Sequence, residues 1–263
     1  MTLPLVVGVD GSRSSLLALD WAVDEAANLD LPLRIVHAAQ APGSDVAAAA
    51  ETRARGRRPG VRTETRTVLD DPVAALMDEA PNATALVTGA RGHGGLNGLL
   101  LGSVSLAVAA RAQCPVVVVR DEQGTAEERR GTILLGVADA AGSSEAVRFA
   151  FRLADARGSG VDAVCAWCCP APGTVEPQDG SEAGALLDEA LADAVAAHPS
   201  VDVRRLAVEG PARDVLLKHS VTSDLLVVGA RRRHDRVGLH LGRVNHAMLH
   251  YADCPVAVVP QWS

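Results

Sequence analysis

The chain has 263 residues, a net charge of −7 and an aromatic content of 2%. This length suffices for two domains with their own cores, while the acidic balance and the scarcity of aromatic side chains exclude a basic or base-stacking nucleic-acid surface. No apolar run reaches the roughly twenty residues that cross a bilayer, and the first residues lead directly into a predicted strand rather than a signal peptide. We expect a soluble, cytoplasmic protein that binds neither nucleic acid nor membrane.

Short runs of valine and leucine alternate with longer amphipathic segments along the whole chain. The first half predicts strands at 3–9, 33–38, 62–68, 84–88 and 116–119, and helices near 13–28, 44–57, 71–80 and 103–112. The second half predicts strands at 132–137, 161–166, 202–208, 225–228 and 256–259, and helices near 143–157, 181–197, 211–220 and 243–250. Such uniformly apolar strands are typical of a parallel sheet covered by helices on both faces. The predicted fold class is α/β.

The two halves are copies of one unit. LVVGVD at 5–10 returns as ILLGVA at 133–138, LVTGAR at 86–91 as LVVGAR at 226–231, and CPVVVV at 114–119 as CPVAVV at 254–259. The first pair is offset by 133 − 5 = 128 residues, whereas the other two pairs are offset by 226 − 86 = 140 and 254 − 114 = 140 residues. The second copy therefore carries about twelve extra residues, most simply in the Pro/Gly-rich stretch 170–184. We predict a first domain at 1–121, a short exposed linker at 122–131 and a second domain at 132–263.

A glycine-rich segment, GARGHGGLNGLLLGSVS at 89–105, joins the fourth predicted strand to the next helix. The spacing of Gly89, Gly92 and Gly102 allows backbone N–H groups to surround a phosphate, and the helix start adds unpaired N–H groups and about half a positive charge. Ser103 would serve as N-cap or as a direct ligand. The segment is neither a Walker A loop nor a Rossmann fingerprint, since neither spacing fits. A plain glycine-rich surface loop before a capped helix is the alternative.

These features resemble the universal stress protein family, with both family domains in one chain. The resemblance rests on Gly89, Gly92, Gly102 and Ser103, which match the family's signature Gly-x2-Gly-x9-Gly-Ser/Thr, and on Asp10 after the first strand. It implies two tandem, doubly wound, five-stranded parallel-sheet domains of flavodoxin-like or Rossmann-like order 3-2-1-4-5, related by a pseudo-two-fold axis. Strands one and four would then end side by side, where α/β proteins bind their ligands.

The resemblance further implies an ATP site in the first domain, with or without Mg²⁺. The base and ribose side would be formed by Val9, Asp10, Gly11 and Ser12, the adenine edge by the backbone of Val36, His37 and Ala38, and the ribose and phosphate side by Gly89, Gly92, Gly102, Ser103, Val104 and Ser105, with both serine hydroxyls donating to phosphate oxygens. Arg91 and His93 either reach phosphate or stay solvated.

Asp10 has two interpretations that are compatible with each other. As a ligand it would take a sugar or base donor at the ribose or base end, because a carboxylate beside phosphates is repulsive unless a divalent ion lies between them. Asp-Gly-Ser after a strand is also a turn and helix-cap signature. No catalytic residue and no set of protein metal ligands is predicted.

The second copy departs from the signature. Gly229 and Gly242 remain, but Arg232, Arg243, Asn245 and Ala138 stand where the first copy has Gly92, Ser103, Ser105 and Asp10, and Asp139 lies one step further on. We expect that the second domain does not bind nucleotide in the family manner. The basic run at 231–236 would grip an anion or an acidic partner, or form a solvated loop.

The five cysteines form no even framework. Cys114 and Cys254 are repeat equivalents and are predicted to be buried. The C-x-x-C pair Cys165 and Cys168 raises a redox or zinc alternative, but it lies at a strand end rather than at a helix start, where a thiolate would be stabilised.

The resemblance also implies that strands 116–119 and 256–259 pair within one chain, which would make an intramolecular pseudo-dimer and hide two sheet edges. Whether two chains associate further as a homodimer is left open.

We favour an ATP-binding stress-response or signalling module that interacts with an unidentified protein partner. The alternatives are a slow nucleotide hydrolase or transferase, and a nucleotide-free interaction scaffold. No Walker lysine, catalytic glutamate or nucleophile arrangement accompanies the motif, so weak hydrolysis at most is expected and the protein is not predicted to be an enzyme.

Overall fold

The fold is described by a computed structural model covering residues 2–39, 41, 43–92, 101–120, 131–168, 179–231 and 241–261. The chain divides into two compact units, with the boundary between residues 121 and 122. The predicted linker lies outside the described residues except for Gly131. Within the described ranges, no helix combines the length and the apolar character that crossing a membrane requires.

The first unit is an open sheet of five strands with helices between them. Its elements are β1 (Leu5–Gly8), α1 (Arg13–Asn28), β2 (Leu33–Ala38), α2 (Val46–Arg57), β3 (Thr63–Val68), α3 (Pro72–Glu79), β4 (Ala85–Gly89), α4 (Ser103–Arg111) and β5 (Val116–Val119). All neighbouring strands are parallel, in the order β3-β2-β1-β4-β5. The predicted order 3-2-1-4-5 is confirmed.

The second unit repeats this architecture. Its elements are β6 (Thr132–Gly136), α5 (Ser144–Arg157), β7 (Gly160–Trp167), α6 (Gly180–Ala197), β8 (Val203–Glu209), α7 (Ala212–Ser220), β9 (Leu225–Arg231), α8 (Arg243–Tyr251) and β10 (Val256–Gln261). The strands are again parallel, in the order β10-β9-β6-β7-β8. Strands β9 and β10 run beyond their predicted ends because they stay in register up to the pair Arg231 and Gln261. The predicted pairing of 116–119 with 256–259 concerns two separate units and stays a prediction.

The central strands carry the core of each unit. Val6, Val7, Leu86, Val87 and Val117 are fully buried in the first unit. The equivalent strands β6 and β9 are also buried, apart from their ends. Strand β3, at the sheet edge, instead alternates threonine with charged residues and is largely exposed. This burial explains why β1, β4 and β5 read as continuous apolar runs in the sequence.

Short polar side chains cap two of the helices that start at the carboxyl edge of the first sheet, α1 and α3. The hydroxyl of Ser12 accepts the N–H of Ser15 at 3.2 Å and caps α1. Asp71 accepts the N–H groups of Val73 and Ala74 at 2.9 and 3.1 Å and caps α3, whose first residue is Pro72. Satisfying the unpaired N–H groups in this way fixes where each helix starts relative to the strand ends.

The end of β4 is a point of very close approach to α1. A Cβ atom on Gly89 would lie only 2.5 Å from the backbone carbon and oxygen of Ser14. Backbone atoms cannot yield as a flexible side chain can. Glycine is therefore required at position 89 by packing between a strand and a helix.

Replacing Gly89 with alanine tests this requirement. Gly89→Ala should lower the free energy of unfolding by about 1–3 kcal/mol because the added methyl overpacks the junction. Gly56→Ala is the control, since Gly56 lies in α2 and a Cβ there meets no atom within 4 Å. That change should raise stability by about 0.5–1 kcal/mol. Urea unfolding of both variants measures the effects, and equal stability of Gly89→Ala and the unmodified protein would contradict the packing argument.

Candidate functional site

A cavity of about 690 Å³ lies at the carboxyl ends of β1, β2 and β4 in the first unit. Its walls also include the first turns of α3 and α4. Strands β2 and β4 lie on opposite sides of β1, so the connections from β1 to β2 and from β3 to β4 run in opposite directions across the sheet. This is the topological switch point at which α/β sheets open a crevice. A smaller cavity of about 300 Å³, lined by residues of α1 and of the loop 58–62, contains none of the predicted site residues.

Most of the predicted contact residues meet in the larger cavity. Its lining includes Val9, Asp10, Val36, His37, Ala38, Gly89, Gly92, Gly102, Ser103, Val104 and Ser105. Gly11 and Ser12 are not part of the lining. The side chain of Ser12 caps the N-terminus of α1. Gly11 precedes it in a left-handed conformation, with a φ of 84°.

The start of α4 differs from the prediction in one respect. Gly102, and not Ser103, is the N-cap, because the N–H of Gly102 donates to the carbonyl of Ala90 at 2.7 Å and holds Gly102 in an extended conformation. Ser103 is the first helical residue and is exposed. Within the described ranges, no side-chain hydrogen bond caps α4. Its first N–H groups and partial positive charge therefore remain at the cavity wall, where they favour an anion.

Ser105 has a structural role that the prediction missed. Its buried hydroxyl donates to the carbonyl of Gly89 at 2.6 Å. The expectation that this hydroxyl donates to phosphate was therefore wrong, because its hydrogen is already used. In the second unit, Asn245 donates from Nδ2 to the carbonyl of Gly229 at 2.8 Å. Both copies thus tie the end of the fourth strand to the following helix, with different side chains.

The carboxylate of Asp10 lies against the glycine-rich segment. Oδ1 accepts the N–H of Ser12 at 2.9 Å, which is the predicted turn. A Cβ on Gly92 would lie 2.6 Å from Oδ2. The expected position of Asp10 at the ribose or base end was therefore incomplete, since the carboxylate also borders the segment expected to meet phosphates. In the second copy the same two positions hold Ala138 and Arg232.

The His37 ring is held by the protein on both sides. Nδ1 lies 2.8 Å from the carbonyl of Val9, and Nε2 lies 2.8 Å from the hydroxyl of Ser44. A carbonyl only accepts, so this geometry assigns the proton to Nδ1 and lets Nε2 accept from Ser44. Both ring nitrogens are used within the protein, and the expectation that His37 contacts adenine through its backbone stays a prediction.

The structure adds residues that no motif indicated. Asp71, Pro72, Ala75 and Leu76 reach the cavity from α3, and Thr88 reaches it from β4. The Asp-Pro helix start was readable in the sequence, but its position over the crevice depends on the β3–α3 connection.

Arg91 lines the cavity with an exposed side chain, while its N–H donates to the hydroxyl of Ser14 at 3.1 Å. His93 lies outside the described residues.

In the second unit, side chains of the unit itself occupy the corresponding strand ends. Asp139 forms an ion pair with Arg231, and its Oδ1 accepts the N–H of Gly142 at 2.6 Å. The buried Gln261 accepts the N–H of Glu145 at 3.0 Å. A Cβ on Gly229 would lie 3.1 Å from Nε2 of Gln261. Arg232, Arg233, His234 and Arg236 of the basic run lie outside the described residues.

Two of the cysteines are poorly placed for thiolate chemistry. Burial raises the pKa of the Cys114 thiol to about 12 and also raises the pKa of Cys165. Cys114, Cys165, Cys168 and Cys254 form no disulfide among the residues that the structure describes. Nor does that part of the chain contain a group of three or more His, Cys, Asp or Glu side chains that could hold a metal.

The role of Ser105 can be separated from that of Ser103. Ser105→Ala should lower the free energy of unfolding by about 1 kcal/mol because the carbonyl of Gly89 loses a buried donor. Ser103→Ala should change it by less than about 0.5 kcal/mol, since Ser103 is exposed and caps nothing. Chemical denaturation of the two variants measures the difference. A larger loss for Ser103→Ala would restore the capping interpretation.

Alkylation should rank the cysteines by their environment. At pH 8, iodoacetamide should label Cys168, which is partly exposed, before Cys114 and Cys165, whose raised pKa keeps the thiols protonated. Peptide mass spectrometry at successive times measures the order, and urea-denatured protein, in which every cysteine should react, is the control. Early labelling of Cys165 in native protein would revive the redox alternative.

Comparison with known proteins agrees with the fold and the repeat. The model of the universal stress protein family matches residues 1–52, 43–120 and 129–260. Universal stress protein Rv2005c of Mycobacterium tuberculosis is 33% identical, with 98% of this chain and 97% of that protein covered. Universal stress protein Rv2623 of the same organism is 31% identical, with coverages of 98% and 96%.

A solved structure shows the same fold along the whole chain. The crystal structure of a universal stress protein from Archaeoglobus fulgidus covers 98% of each chain with a TM-score of 0.69, at 16% identity. The repeated sheet order, the extent of the family match and the near-complete coverage of the relatives lead to one conclusion. The chain belongs to the universal stress protein family and carries the family's domain twice in tandem.

Proposed function

We propose that the first unit binds ATP. We further propose that the protein is a cytoplasmic stress-response or signalling module, in which binding of the nucleotide changes the interaction with a protein partner. The observation that carries the proposal is the cavity at the switch point. Its volume of about 690 Å³ is in the range of small-molecule sites, and it joins an apolar end to a helix N-terminus. That polarity suits a molecule with a flat, weakly polar ring at one end and phosphates at the other.

The end of the cavity near β2 and α3 suits the base. Val9, Val36, Ala38, Pro72 and Leu76 supply apolar surface there. Base recognition falls to backbone groups at the end of β2, because the ring of His37 is held by the protein. This is the arrangement that the family resemblance implies for adenine.

The end near α4 suits phosphates. The uncapped first turn of α4 offers N–H groups at Ser103, Val104 and Ser105, and the exposed hydroxyl of Ser103 can donate as well. Arg91 adds a positive charge at the same wall. Phosphate oxygens would replace the missing cap of the helix.

Mg²⁺, when present, would arrive on the phosphates of the nucleotide. Asp10 is the carboxylate positioned to meet it, since its Oδ2 borders Gly92. Protein sites that bind Mg²⁺ together with substrate phosphates use one or two carboxylates and several waters, which fits a single aspartate. The ion would also offset the repulsion between Asp10 and the phosphates.

We further propose that turnover is not the main role. The titratable side chains in the described lining are Asp10, His37, Asp71 and Arg91. Asp10 and Asp71 accept backbone N–H groups at helix starts, and both ring nitrogens of His37 are engaged. The cavity therefore offers binding groups but no group arranged as a general base beside a nucleophile. Hydrolysis, if detectable, should be slow.

Titration with MgATP tests the proposal directly. Isothermal calorimetry should give one site per chain, and ATP at a hundred times its Kd should stabilise the first unit by roughly 2.7 kcal/mol in thermal unfolding. Gly92→Arg, which copies Arg232 of the second copy, should abolish binding, because its side chain enters the space beside Asp10. Phosphate release in the same samples measures turnover.

Gly56→Arg is the matched control. It adds the same charge at an open position of α2 and should bind ATP like the unmodified protein. Two sites per chain would contradict the assignment to the first unit alone. No binding in the unmodified protein would leave the nucleotide-free scaffold, and rapid phosphate release would favour the hydrolase.

A further inference from the structure

Thr88 lines the cavity and carries a buried hydroxyl that is unsatisfied within the described part of the chain. The residue is 4% exposed and lies near the end of β4, one position before Gly89. Its Oγ1 is buried and forms no hydrogen bond within the described part of the chain. Thr88 is also part of the cavity lining. A buried hydroxyl without a partner costs free energy, so its presence at a ligand cavity calls for a partner that the described residues do not supply.

The register of the sheet places Thr88 between the two ends of the cavity. Val87 of β4 pairs with Val7 of β1, so Thr88 follows in register beside Gly8. A Cβ on Gly8 would face Leu76 of α3 at 3.1 Å. Neighbours in register point to the same face of a sheet, so Thr88 points to the α3 side, between the apolar end and the α4 end.

The second copy shows an apolar side chain at the equivalent position. Val228 stands 140 residues after Thr88, and a Cβ on Gly136, the equivalent of Gly8, would lie 3.3 Å from Cγ1 of Val228 and 3.3 Å from Leu216. Valine and threonine have the same shape. The fold therefore accepts an apolar side chain at this position, and packing alone does not require the hydroxyl of Thr88.

We propose that the Thr88 hydroxyl is a specificity contact for the nucleoside part of the bound nucleotide, an inference that rests on the proposed function. A nucleotide with its base near β2 and its phosphates at α4 carries its sugar over β1 and β4, above Thr88. The hydroxyl can donate or accept, as can a ribose hydroxyl. One rotation of about 120° about the Cα–Cβ bond exchanges the hydroxyl and methyl positions and turns the oxygen without backbone movement.

Two variants with opposite expected effects test the proposal in the full chain. Thr88→Val should raise the Kd for ATP and for adenosine by roughly 3- to 10-fold, because a hydrogen bond to the ligand is lost. Without ligand, its melting temperature should stay the same or rise, because a buried unsatisfied hydroxyl is removed. Thr88→Ser should keep the Kd for ATP within roughly twofold and lower the melting temperature by roughly 2–4 °C through loss of a buried methyl.

Inorganic tripolyphosphate is the ligand control and Thr132→Val is the protein control. Tripolyphosphate lacks a nucleoside, so Thr88→Val should bind it like the unmodified protein. Among the described residues, the buried Oγ1 of Thr132 in β6 also has no hydrogen-bond partner. Thr132 is not part of the cavity lining, so Thr132→Val should leave the Kd for ATP unchanged.

The outcomes separate this inference from the proposed function. Failure of the unmodified protein to bind ATP would overturn both. Normal ATP binding by Thr88→Val, or an equal loss for tripolyphosphate, would overturn the role of Thr88 and leave the ATP site in place. A fall in the melting temperature of ligand-free Thr88→Val would show that the hydroxyl is structural.

Discussion

The close approach of α1 to the end of β4 is the constraint on which the site depends. Gly89 lets the backbone of Ser14 come within a distance that any side chain would block. From this junction, the carbonyl of Gly89 receives the hydroxyl of Ser105, and the hydroxyl of Ser14 receives the N–H of Arg91. The starts of α1 and α4 therefore converge on one strand end. The cavity lies beside this strand end, at the carboxyl edge of the sheet.

The two copies show which features the fold requires and which belong to the site. Gly89 and Gly229 both meet neighbouring backbone, and both copies connect the fourth strand end to the following helix, through Ser105 or Asn245. These features persist because the packing of the unit depends on them. By contrast, Asp10 and Thr88 are replaced by Ala138 and Val228, small or apolar residues that preserve the packing and remove polar groups from the cavity.

The groups at the cavity of the first unit underlie the proposal that it retains a ligand rather than converting it. At the cavity, Asp71 caps α3, the ring of His37 and the hydroxyl of Ser105 bond to other groups of the protein, and the start of α4 remains available to an anion. A nucleotide would complete hydrogen bonding that the protein leaves open at the helix start and at Thr88. A site of this kind stabilises the unit when it is filled, which is the property that a sensor needs.

The sequence by itself determined the element order, the repeat and the strand that carries the glycine segment. Apolar periodicity and turn residues are local signals, and the parallel topology follows from alternating strands and helices. The motif and the family resemblance it carries also named just over half of the residues that line the cavity. Tertiary structure decided the roles of individual side chains. Ser105 faces a carbonyl rather than a ligand, Gly102 displaces Ser103 as the cap, and Thr88 joins the site, because these outcomes depend on distances between segments far apart in the chain. Such distances are set only when the sheet brings its strand ends together.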